Sequence, residues 1–184
     1  MKQLLLLLAA FTMLQSCNSS TTLEDTKIDA KLRETIYAKN ESLIEAMIST
    51  DLNAYYSLES KEYSKQRKTS RKKPADYFKK GIFGNKFTVY DEFLVTNTDR
   101  YSENEVTSQK HGYTFTFRND RLQSYVSVLK ISGHQFDSLL AVTHGLDDNN
   151  EWKIYAIDLL TWAIGVKHLP IITCLRNKTK KTAF

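Results

Sequence analysis

The chain opens on an almost unbroken apolar run over residues 4–14, interrupted only by Thr12. At about 1.5 Å of rise per residue, a helix of this length covers well under the roughly 30 Å of a bilayer core. The run therefore suits a cleavable export signal and not a membrane span. After a polar stretch, apolar residues recur at Ile28, Leu32, Ile36, Leu43 and Met47. That spacing puts them on one face of a helix, predicted to begin near residues 22–25. Lys39 breaks the row, and Lys31, Arg33, Glu34, Asn40 and Glu41 occupy the opposite face. Ser49, Thr50 and Asp51 read as a break and a new cap. A second helix is expected through Tyr55, Tyr56, Leu58, Glu59 and Tyr63. Residues 61–73 read as a basic connector, and Pro74 and Gly81 bracket a short helix at 75–80.

From Lys86 onward the apolar period changes from near 3.6 to 2, the strand period. Phe87, Val89, Phe93 and Val95 share one parity, and Tyr113, Phe115 and Phe117 alternate with Thr114 and Thr116. A third strand covers residues 122–131, a fourth 136–144 and a fifth 152–160. Turns are expected at 118–121, 132–135 and 145–150, where Gly, Asn, Asp and Ser cluster. Such short links favour antiparallel pairing.

Helices first and strands afterwards predict an α+β domain, with N-terminal helices packed on a curved antiparallel sheet of about five strands. The order of elements, together with the Trp152, Ile154 and Ile157 pattern of the last strand, weakly resembles the cone-shaped α+β fold of the nuclear transport factor 2-like superfamily. A cystatin-like sheet around one helix is the nearest rival. The superfamily resemblance implies a pocket between sheet and helices. Some members are isomerases or dehydratases, in which a pocket acid takes a proton while a Tyr or acid stabilises the developing oxyanion.

Leu14, Gln15, Ser16 and Cys17 resemble the lipobox of bacterial lipoproteins. The resemblance implies diacylglycerol on the Cys17 thiol, cleavage before it, and usually acylation, as with palmitate, of the new amine. Several chains on one residue anchor a domain far better than one. Asn18 after the cysteine favours the outer membrane, with periplasmic and surface orientations both open. The expected organisation is a signal peptide at 1–16, a lipidated flexible tether at 17–23, one domain at 24–166 and an irregular basic tail at 167–184.

Charge sharpens this picture. The net +5 is local: residues 61–80 carry +7, whereas residues 81–166 carry −4. A nucleic-acid partner is therefore not expected, and no recognition module is visible. Beyond Cys17 only Cys174 remains, in an apolar run that suits a buried inert thiol. The histidines His111, His134, His144 and His168 are not spaced as a helical metal pair, so neither metal nor cofactor is expected. No glycine-rich phosphate loop or Gly-x-Ser-x-Gly is present.

For catalysis the candidates are Asp158, flanked by Ile157 and Leu159, with Tyr55 or Tyr56. Three functions follow. The first is a non-catalytic envelope domain that binds a protein or a small apolar ligand. The second is an isomerase- or dehydratase-like enzyme using Asp158 and a tyrosine. The third is a structural protein whose basic run lies on lipid.

Overall fold

The computed structural model describes residues 20–69, 86–118, 120–132, 138–160 and 171–172. The signal at 1–16, Cys17, the short helix at 75–80, His134, His168, Cys174 and the rest of the tail at 173–184 lie outside the described residues. The fold is α+β, with N-terminal helices packed against a mostly antiparallel five-stranded sheet and a small second sheet beyond it.

The first element is a strand and not a helix. β1 (Thr21–Glu24) pairs with β2 (Phe87–Thr96), and a 3-10 turn at Asp25–Lys27 follows. Helix α1 (Ala30–Ser49) starts later than expected, where the Asp29 carboxylate accepts the Leu32 N–H at 3.0 Å. Thr50 ends it in the left-handed region, with φ of 57°. Asp51 then caps α2 (Leu52–Leu58) by accepting the N–H groups of Asn53 and Ala54. Residues 61–73, expected as a connector, begin instead with a third helix, α3 (Lys61–Thr69). Its start is held by Ser60 Oγ, which accepts the Tyr63 N–H at 3.0 Å.

The main sheet has the order β1-β2-β5-β6-β7, where β5 is Gln123–Ile131, β6 Ser138–Leu146 and β7 Trp152–Leu160. The strand at Tyr113 to Phe117 does not join it. β4 (Thr114–Arg118) pairs with β3 (Glu103–Thr107), and Ile171–Ile172 (β8) lies parallel to β4. Ile171 and Ile172 fall within the stretch 167–184 that was expected as an irregular tail.

One extra residue in β2 and one in β7 decide which side chains face which layer. The register of β2 on β5 shifts between Val89 and Asp91, leaving Tyr90 as a bulge. In β7 the register on β6 shifts between Thr143 and His144, opposite Tyr155. An inserted residue reverses the alternation beyond it. Phe87 and Val89 therefore face the helices, where they pack on Leu43, Met47, Tyr55, Leu129, Ile131, Leu140, Val142 and Ile154. Phe93 and Val95 face the other way, into a second core with Val106, Tyr113, Phe115, Phe117, Val126 and Val128. The expectation that Phe87, Val89, Phe93 and Val95 share a face fails for this reason. Both faces of the sheet are covered, which is why β5 and β6 are buried along nearly their whole length. No helix among the described residues is long and apolar enough to cross a membrane.

Candidate functional site

The expected catalytic pair is separated by the sheet. Asp158 is the cross-strand partner of Ala141, which belongs to the core on the hairpin side. Tyr55 belongs to the core on the helix side, beside Val142 and Ile154. Cross-strand partners project to the same face and successive residues to opposite faces. Asp158 and Tyr55 therefore project into different layers, and the bulge at Tyr155 puts Asp158 opposite in face to Ile154. Tyr56 is 38% exposed and meets the buried Tyr55 edge-on, ring centroids 5.6 Å apart. The space between helices and sheet, where the superfamily resemblance implied a pocket, is occupied by the helix-side core.

The structure instead gathers polar groups at Asp91 and Glu92, two adjacent carboxylates in the middle of an apolar strand. Both are buried, and they face opposite layers because they are neighbours in a strand. Burying a carboxylate is costly without hydrogen-bond partners, so each has recruited some.

On the hairpin side, the Tyr113 hydroxyl donates to Asp91 Oδ2 at 2.5 Å. His111 Nε2 lies 3.7 Å from Asp91 Oδ1, and the His111 ring stacks on Tyr90 with centroids 3.7 Å apart. The turn that carries His111 is set by local bonds. Ser108 Oγ accepts the His111 N–H at 3.0 Å, the Ser108 carbonyl accepts the Gly112 N–H at 2.9 Å, and Gly112 sits at φ +66°. A side chain is disfavoured at that backbone angle, which explains the glycine. Burial pushes Asp91 above the usual carboxylate range, opposed by the hydrogen bonds from Tyr113 and Ser108 and by His111. Tyr113 is pushed far up by its own burial and by the carboxylate it serves. Nearby, Glu24, Asp25, Lys27, Gln109 and Lys110 line an open groove of about 320 Å³.

On the helix side, Glu92 takes the Tyr125 hydroxyl at 2.6 Å and Arg33 Nε at 2.7 Å. The Glu92 N–H donates to Asp25 Oδ1 at 3.1 Å. The ion pair raises Arg33, chiefly through its hydrogen bond to Glu92. A second buried polar set ties α1 to the sheet. Asn40 Nδ2 donates to Ser127 Oγ at 2.9 Å, and Asn40 Oδ1 lies 2.9 Å from His144 Nε2. Asn40, expected on the solvent face, is buried. Complete burial lowers His144 to about 3, with the nearby Lys39 charge acting in the same direction. His111 and His144 are not brought together: one sits in the hairpin turn, the other bonds to α1.

Asp91 has no exposed surface, and His111 above it is the group with partial access, its side chain 22% exposed. The cluster can hold a proton and fix the hairpin on the sheet, but no substrate reaches Asp91 directly in this arrangement. Among the described residues no group of three or more His, Cys, Asp or Glu is placed to hold a metal ion.

Two signals for these residues were in the sequence. Asp91-Glu92 interrupts an apolar strand, and Asn40 falls four after Ile36 and three before Leu43, on the apolar stripe itself. The partners Tyr113 and His111 carry no such signal, because only the packed hairpin brings them to Asp91.

These features define a two-faced α+β sheet domain with buried polar clusters and open surface grooves. No family model, curated protein or solved structure matches the chain.

Proposed function

We propose that this chain is a bacterial envelope lipoprotein, anchored by lipid on Cys17, whose domain is a non-catalytic binding module. The anchor rests on Leu14-Gln15-Ser16-Cys17 at the end of a short apolar run. The outer membrane is favoured by Asn18. The observation that carries binding over turnover is the separation of Asp158 from Tyr55 by the sheet. An acid and a phenol in different layers cannot act on one substrate atom. With the helix-side interior filled, recognition falls to the surface, which favours a protein partner over a small apolar ligand held inside.

The anchor is tested by feeding the natural host an alkyne analogue of palmitate and fractionating its envelope. The wild-type chain is expected to carry the label and to pellet with membranes. The Cys17→Ala variant is expected to lose both properties. A wild-type chain that stays unlabelled, with residues 1–16 still attached, would overturn the envelope reading.

A further inference from the structure

We propose that the loop end of the sheet, around Tyr101 and Leu122, lies against the bilayer surface. This rests on the lipid anchor at Cys17 and adds an orientation to it. Only residues 18–20 separate Cys17 from the first residue of β1. An extended chain spans at most roughly 3.3–3.6 Å per residue, so Thr21 stands within about 14 Å of the anchored residue. Thr21–Glu24, part of the stretch expected as a tether, belongs to the sheet.

The register fixes which end is held down. Thr21 pairs with Thr96, and Thr96 with Gln123. The Asn97 N–H then donates to the Leu122 carbonyl at 2.8 Å. Neighbouring strands lie about 4.8 Å apart, so the Leu122 backbone is about 10 Å, two strand spacings, from the chain's entry into the sheet. That is within the reach of the anchor.

The side chains at this end are unusual for a surface in water. Tyr101 is 68% exposed, the most exposed large hydrophobic side chain among the described residues, and Leu122 is 46% exposed. Tyr101 also sits at φ 66°, a left-handed backbone that an aromatic residue rarely adopts. A strained residue that holds an aromatic ring outward at a loop tip points to a contact for that ring. Tyrosine suits the headgroup level of a bilayer, with an apolar body and a polar tip.

The loop tip itself carries exposed charges of both signs. Arg100 and Arg118 are exposed here, but so are Asp99, Glu103 and Asp148. The attachment is therefore apolar and aromatic, and insensitive to salt, unlike a basic patch on anionic lipid.

The test uses the lipidated full chain with Cys174→Ser, on vesicles of phosphatidylethanolamine and phosphatidylglycerol. A fluorophore is placed through Thr98→Cys at the loop end or Thr88→Cys at the far end of β2; both positions are exposed. Acrylamide quenching is compared with that of the unlipidated Cys17→Ser chain in solution. At position 98 quenching is expected to fall several-fold on vesicles and to stay low in molar salt. At position 88 it is expected to stay unchanged, and Tyr101→Ser is expected to restore part of the quenching at 98. Equal quenching at 98 on vesicles and in solution, with lipid on Cys17 shown by mass spectrometry, would overturn the orientation and leave the anchor standing. Protection that vanishes in salt would overturn the apolar contact. A Cys17 without lipid would overturn both.

Discussion

His144 offers the sharpest test of the fold. Its Nε2 bonds to Asn40 Oδ1, so that nitrogen carries the proton of the neutral ring, an assignment made from the partner. Nδ1 meets no hydrogen-bond partner among the described residues, and the side chain has no exposed surface. A second proton would place an unpaired cation in the core. The folded state therefore holds His144 near 3, against 6.5 for the unfolded chain.

The sign follows from proton counts. Between those two values the unfolded chain binds more protons, so stability rises with pH there. The neutral-His contribution is complete above the unfolded value and is lost progressively as the medium becomes more acidic. Well inside that window each pH unit is worth about 1.4 kcal/mol, and because the unfolded ring is only half protonated at 6.5, acidifying from 6.5 to 5.0 should cost about 1.6 kcal/mol. That is a large share of a typical total of roughly 5–15 kcal/mol.

Urea unfolding of the unlipidated domain, followed by tryptophan fluorescence at a series of pH values, gives the slope. His144→Gln keeps a donor for Asn40 and removes the titration, so the difference between the two slopes isolates the histidine from the carboxylates. Parallel slopes in the two proteins would refute the reasoning. So would a His144 ring resonance that titrates near 6.5 in the native state.

Tyr113→Phe removes the donor to Asp91 and leaves a buried carboxylate short of a partner, at a cost of about 1–3 kcal/mol near neutral pH. Asp91 is then driven further above its usual range, so the deficit measured by denaturation should shrink as pH falls; a deficit that is constant with pH would count against the bond. Gly145→Ala would place a Cβ 2.8 Å from Tyr155 Cδ2 and 2.9 Å from Arg121 Cγ. Because the Arg121 guanidinium also lies 4.9 Å over the Tyr155 ring, relief must disturb that stack, and about 1–3 kcal/mol should be lost. An unchanged melting temperature would refute it. Asp51→Ala deletes the acceptor for two N–H groups at the start of α2 and should lower stability by about 1 kcal/mol, read from the denaturation midpoint.

The fold class was legible because long segments announce their period. The stripe of Ile36, Leu43 and Met47 marked α1, and the alternation of Tyr113, Phe115 and Phe117 marked β4. Membership of the sheet was not legible. β1 is four residues long, too short to show a period, and its polar start resembled a helix cap. β3 has Val106 as its single aliphatic position, so it shows no strand period. The faces were misread at the bulges, since one inserted residue at Tyr90 or Tyr155 is settled by pairing with distant strands and leaves no local trace. The same displacement parted Asp158 from Tyr55. The cluster around Asp91 was half legible: adjacent acids in an apolar strand call for partners, but only the docked hairpin says which.

Asp91 and Glu92 act together as a rivet through the sheet. A single peptide unit grips the hairpin layer by one carboxylate, through Tyr113, and the helical layer by the other, through Arg33, while Tyr125 of β5 steadies that second carboxylate from within the sheet. Neither layer can slide or peel without straining the segment of β2 that the other needs. Such a molecule should melt in one step, with signals from both layers vanishing at the same temperature.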